Sequence, residues 1–78
     1  MFLPGDLIRV PSNVELIKIN NMNFPSHFRI TTKPKMAIFV KYRDEGECVI
    51  NADGENWIAP IQSIRIMENE SDKINTNN

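Results

Sequence analysis

The chain has 78 residues, with nine Lys and Arg against ten Asp and Glu, and a formal net charge of −1. That length allows one domain, and a chain of this size buries only about 60% of its extended-chain surface, which excludes a deep enclosed active site on top of a full core. A single cysteine, Cys48, excludes an internal disulfide and with it a disulfide-stapled secreted fold.

The composition, 41% hydrophobic and 24% charged, is that of an ordinary globular domain. The opening Met1-Phe2-Leu3-Pro4-Gly5-Asp6 has no basic n-region and no long apolar run. No signal peptide and no membrane span are therefore expected, and the cytoplasm is the expected compartment.

The apolar runs are short, rich in Ile and Val, and separated by turn residues, which predicts an all-β fold. Asp6 to Val10 reads as a first strand, entered through the Pro4-Gly5 turn and closed by Pro11. Val14 to Ile19 reads as a second strand, and the Asn-rich stretch to Pro25 as a loop. His27 to Thr32 reads as a third strand, with Phe28 and Ile30 on one face, and Pro34 interrupts the chain. Lys35 to Arg43 follows as the clearest strand. The period-two rule puts Met36, Ile38, Val40 and Tyr42 on one face, expected inward, and Lys35, Ala37, Phe39, Lys41 and Arg43 on the other. Asp44-Glu45-Gly46 makes a hairpin turn, Glu47 to Ala52 returns, and Asp53-Gly54 is a type I′ signal. Asn56 to Pro60 is the next strand, Ile61-Gln62-Ser63 one 3₁₀ turn, and Ile64 to Met67 a closing strand with Ile64 and Ile66 inward. The expected core gathers Ile38, Val40, Ile50, Ile64 and Ile66. From Glu68 to Asn78 the one large apolar residue is Ile74, so residues 68–78 are expected to be a disordered polar tail after a single domain of residues 1–67.

Gly5-Asp6-Leu7-Ile8-Arg9-Val10 at the front and Trp57-Ile58-Ala59-Pro60 before Ile61-Gln62-Ser63-Ile64 resemble the first strand and the closing turn of SH3-like barrels. The resemblance spans roughly residues 5 to 67. It implies a small barrel of five to seven short antiparallel strands, with residues 14 to 32 forming the long early excursion of such folds. The tyrosine-rich segment of signalling SH3 domains is missing, so recognition of proline-rich peptides is not implied. Small barrels host many functions, and the fold assigns none.

Converging reactive groups are not apparent. His27 is the one histidine, and Cys48 sits between Glu47 and Val49 as a small core hydrophobe. Together they cannot complete a zinc site, and the three separated glycines make no phosphate loop. Asp44, Glu45 and Glu47 lack calcium-loop spacing and read as a solvated hairpin tip. No enzyme, cofactor, metal or small-molecule substrate is expected.

Charge is segregated along the chain. Between Leu16 and Arg43 every charged residue is basic, and between Asp44 and Ile64 every one is acidic. With the expected strand parity, Lys33, Lys35, Lys41 and Arg43 form an outward row around Phe39. The competing reading is a solvated face with Phe39 packed beneath the excursion and Arg43 paired to Glu47. Trp57 is read either as a partly exposed anchor or as a cap on the core, with Ile58 then taking the opposite face. Lys33, Lys35, Phe39, Lys41, Arg43 and Trp57 are thus the candidate binding residues. The expected function is a non-enzymatic adaptor or inhibitor acting on a protein partner. The alternative is nucleic-acid binding by the basic face, against which the near-zero net charge counts. The Ile, Asn and Lys content also resembles small accessory proteins of AT-rich phage genomes.

Overall fold

The computed structural model describes residues 1–20, 22 and 24–67. The tail expected at residues 68–78 lies outside the described residues. Seven antiparallel strands form one sheet: β1 (Leu7–Val10), β2 (Glu15–Ile19), β3 (Pro25–Ile30), β4 (Lys35–Tyr42), β5 (Glu47–Ala52), β6 (Glu55–Pro60) and β7 (Arg65–Ile66). A 3₁₀ turn, Ile61–Ser63, separates β6 from β7. The spatial order is β3-β2-β6-β5-β4-β1-β7, and the sheet wraps around its core in the manner of a small barrel without closing.

The turns follow the chemistry of their residues. Asp53 and Gly54 both take positive φ between the paired residues Ala52 and Glu55, as a type I′ hairpin requires. At the front, the Asp6 amide bonds the Leu3 carbonyl at 3.0 Å, and Gly5 takes the positive φ that Pro-Gly turns demand. This turn leads the chain into β1 and is held against β4: the Gly5 amide bonds the Phe39 carbonyl at 2.8 Å and the Phe39 amide bonds the Asp6 carbonyl at 2.9 Å. Phe2 is thereby laid on Phe39, ring centroids 5.4 Å apart, and Tyr42 meets the other side of Phe39 edge-on at 4.9 Å.

One buried hydroxyl fixes the crossing from β1 to β2. Thr31 Oγ1 donates to the Pro11 carbonyl at 2.6 Å and accepts the Val14 amide at 3.0 Å. The Thr31 backbone also bonds Asn13 and Val14. Two main-chain groups of a tight corner are thus satisfied by one side chain, which explains a buried polar residue among apolar neighbours.

The core gathers Ile8, Val10, Leu16, Phe39, Cys48, Ile50, Trp57 and Ile64 with smaller residues between them. Ile50 and Ile64 are interior as expected. The expected parity of β4 is reversed up to Val40. Ala37 and Phe39 face the core, Phe39 being 1% exposed, while Met36 and Ile38 are exposed and Val40 is half-buried. Tyr42, opposite the buried Cys48 and against the Phe39 ring, lies on the core face as expected, at its exposed rim. Partner strands decide this. Ile8 lies opposite Ala37 and Ile50 opposite Phe39, so the two most buried isoleucines select the Ala37–Phe39 row. Ile66 is also exposed, because β7 is a two-residue end strand whose outer side carries no further strand among the described residues.

Candidate binding face

The ladder between β4 and β5 shifts register between Phe39 and Lys41, leaving Val40 without an opposite residue. This bulge changes the face of everything after it. Lys35 lies opposite Val10, a core residue, so it stands at the rim of the inner face. Lys41 lies opposite Val49, on the outer face. The expected basic row therefore does not exist as one row.

Each half of it has different surroundings. Lys35 donates a hydrogen bond to Asp53, and Arg29 stands 3.7 Å from the same carboxylate. The hydrogen bond and charge of Lys35, with a smaller contribution from Arg29, hold the Asp53 carboxyl below its ordinary range. Lys33 is exposed on the adjoining loop. Arg43 reaches Glu47 at 3.2 Å, the cross-hairpin pair that the sequence allowed as an alternative. Lys41 is exposed and, among the described residues, has no carboxylate partner within ion-pair distance.

Both aromatic candidates are interior. Phe39 lies under Phe2 and Tyr42, and Trp57 is 4% exposed, opposite Ile50 in the core. The Arg29 guanidinium lies over the Trp57 ring, 5.3 Å from its centroid, in a cation–π contact. Neither aromatic is available as a surface anchor. Ile58 takes the opposite face, as alternation from Trp57 requires.

That opposite face was missed in the sequence. Cross-strand partners share a face, and the pairs Lys41–Val49, Val49–Ile58, Ile58–Ile17 and Ile17–Phe28 define one continuous row across five strands. Ile17, Val49 and Ile58 floor a groove of about 460 Å³. Lys41 and Arg43 line one side, and Asn56 and the Lys18–Glu55 ion pair, 3.3 Å, line the other. Ile58 is only 5% exposed yet is not a member of the main core; its outer-face neighbours cover it. The signal was present in Ile17, Val49 and Ile58 each alternating against a core residue, but a strand apolar on both faces does not say which face is which.

The Cys48 thiol is buried and 3.6 Å from the Ala59 carbonyl. Burial, with a lesser push from Glu47, raises it to about 11, far from a thiolate at neutral pH. His27 is exposed and bonds Ser26. Among the described residues no three His, Cys, Asp or Glu side chains gather as a metal site, and no helix is long and apolar enough to cross a membrane. No protein-family model, curated protein or solved structure matches the chain.

Proposed function

We propose that the chain is an SH3-like small barrel that acts as a non-enzymatic binding module, an adaptor or inhibitor, on a protein partner seated in the outer-face groove. The barrel reading is supported by the strand order, in which the β2–β3 hairpin forms the early excursion and a single 3₁₀ turn precedes the last strand. The observation that carries the functional reading is the apolar floor of Ile17, Val49 and Ile58 beside Lys41, a cation without a partner among the described residues. Apolar grooves rimmed by polar groups are where protein partners dock, and the exposed cation favours an acidic rim on that partner.

Nucleic acid is the weaker reading. A backbone-tracking surface needs its cations together, whereas here Lys35 and Lys41 stand on opposite faces and Lys35, Arg29 and Arg43 are engaged by Asp53 and Glu47. The test is capture from a lysate of the source organism on the immobilised full chain, with and without nuclease, repeated with Lys41→Glu and Ile17→Ser. The expected result is a stoichiometric, nuclease-resistant protein whose capture falls at least about tenfold in both variants. Capture abolished by nuclease, or undiminished in the variants, contradicts the proposal.

A further inference from the structure

β3 is an end strand, and all six of its residues are exposed. One of its edges pairs with β2, and the other is paired with no strand among the described residues. The Thr31 amide bonds the Val14 carbonyl at 3.0 Å, and the Thr31 carbonyl accepts the Asn13 amide at 2.7 Å. The main-chain polar groups of Thr31 thus turn toward β2. By alternation those of Arg29, opposite Leu16, do the same. Phe28 and Ile30 therefore turn their amides and carbonyls away from the sheet, along the open edge. Their side chains, 65% and 59% exposed, share the outer face.

Natural end strands are guarded against pairing by charged side chains, lysine above all, by inward-pointing charges, and by prolines, bulges or brevity. β3 carries its guards away from the Phe28–Ile30 row: Arg29 points to the inner face, where Asp53 and Trp57 hold it, Pro25 is its first residue, and its register irregularity lies at the Lys18–Ile19 end. The opposite end strand, β7, has two residues and is guarded by its length.

We propose that the β3 edge is a self-association site, at which two copies of the chain pair β3 against β3, antiparallel about a two-fold axis, to make one continuous sheet. An antiparallel pair of identical strands satisfies its outward amides and carbonyls reciprocally. Phe28 and Ile30 of the two copies then lie side by side on one face, apolar against apolar, with no charge in that row. Arg29 falls on the other face, where Asp53 and Trp57 engage it and hold its charge back from the seam. A seam of one six-residue strand per copy falls at the small end of specific contacts, which makes the dimer reversible rather than obligate. The groove spans β2, β4, β5 and β6 while the seam uses the far edge of β3, so the seam does not require the groove to be filled.

The test is sedimentation velocity on the full chain over about three decades of concentration, from micromolar to millimolar, with amide hydrogen exchange at both extremes. The expected result is a monomer–dimer transition, with Phe28 and Ile30 amides slowing at least about fivefold at high concentration while the Arg29 amide, already bonded to β2, does not change. Phe28→Lys and Ile30→Lys should move the transition at least about tenfold higher in concentration while Lys41→Glu leaves it in place. A wild-type chain that stays monomeric throughout overturns the proposal. So does a dimer in which the Phe28 and Ile30 amides gain no protection, which would mean face-to-face packing instead of edge pairing.

Discussion

Phe39 and Lys41, two residues apart on β4, point to opposite faces of the sheet because Val40 is an extra residue in the ladder with β5. The bulge puts the largest fully buried side chain and the exposed cation of the groove within one short stretch. Phe39→Ala should cost about 3–5 kcal/mol, a large part of the stability of so small a domain. Val40→Ala, at a half-buried position, should cost about 1 kcal/mol or less. Urea unfolding of the two variants measures both. Equal losses, or a larger one at Val40, would place the wrong face of β4 in the core.

Thr31 is the second point of leverage. Its hydroxyl serves the Pro11 carbonyl and the Val14 amide together, so Thr31→Val keeps the shape and strands two main-chain groups in the corner. The expected loss is about 2–3 kcal/mol, with Thr31→Ser recovering most of it. Denaturant midpoints for the three proteins, at constant slope, give the answer.

The Asp53 carboxylate should make stability sensitive to acid. Its ionisation is favoured in the folded chain first by the Lys35 hydrogen bond and then by the nearby charges. A carboxyl lowered on folding contributes stability that is present above its unfolded value, about 3.9, and is lost as pH falls through the lower folded value. Asp53→Asn keeps a residue that tolerates positive φ and removes this contribution. The melting temperature of the wild type should therefore fall more steeply than that of Asp53→Asn as pH drops from about 5 to about 2.

Cys48 has the opposite dependence. Its thiol is raised from 9.0 to about 11 by burial, so the folded chain holds the proton where the unfolded chain releases it. That contribution is complete below pH 9.0 and declines as pH rises toward about 11. Cys48→Ala should flatten this alkaline decline. Thiol-reactive reagents near neutral pH should label the folded chain far more slowly than the urea-unfolded chain.

Turns and the succession of strands along the chain were legible in the sequence because glycine, proline and aspartate carry their own backbone preferences. Pro4-Gly5, Asp53-Gly54 and Ile61–Ser63 appear where those preferences put them. Strand faces were less legible. On β4 one row, Met36, Ile38, Val40 and Tyr42, is apolar throughout, while the other sets Ala37 and Phe39 between Lys35 and Lys41, so the first row reads as the inner one. The choice was made by Ile8 and Ile50 on the neighbouring strands and by Phe2 folding back on Phe39, contacts distant in sequence. The bulge at Val40 leaves no mark in composition, so Lys33, Lys35, Phe39, Lys41 and Arg43 were read as one surface. In the fold Phe39 and Trp57 are interior, Lys33 and Lys35 stand on the Asp53 side, and Lys41 and Arg43 border the groove.

The functional proposal rests on the outer-face groove, and methyl-labelled NMR of the full chain titrated with its captured partner tests it most directly. The methyl signals of Ile17, Val49 and Ile58 should shift or broaden together at stoichiometric partner, and Lys41→Glu should weaken the same titration at least about tenfold. Shifts confined to the Lys33–Lys35 loop and the Asp53 turn, with the groove methyls unmoved, would contradict the account.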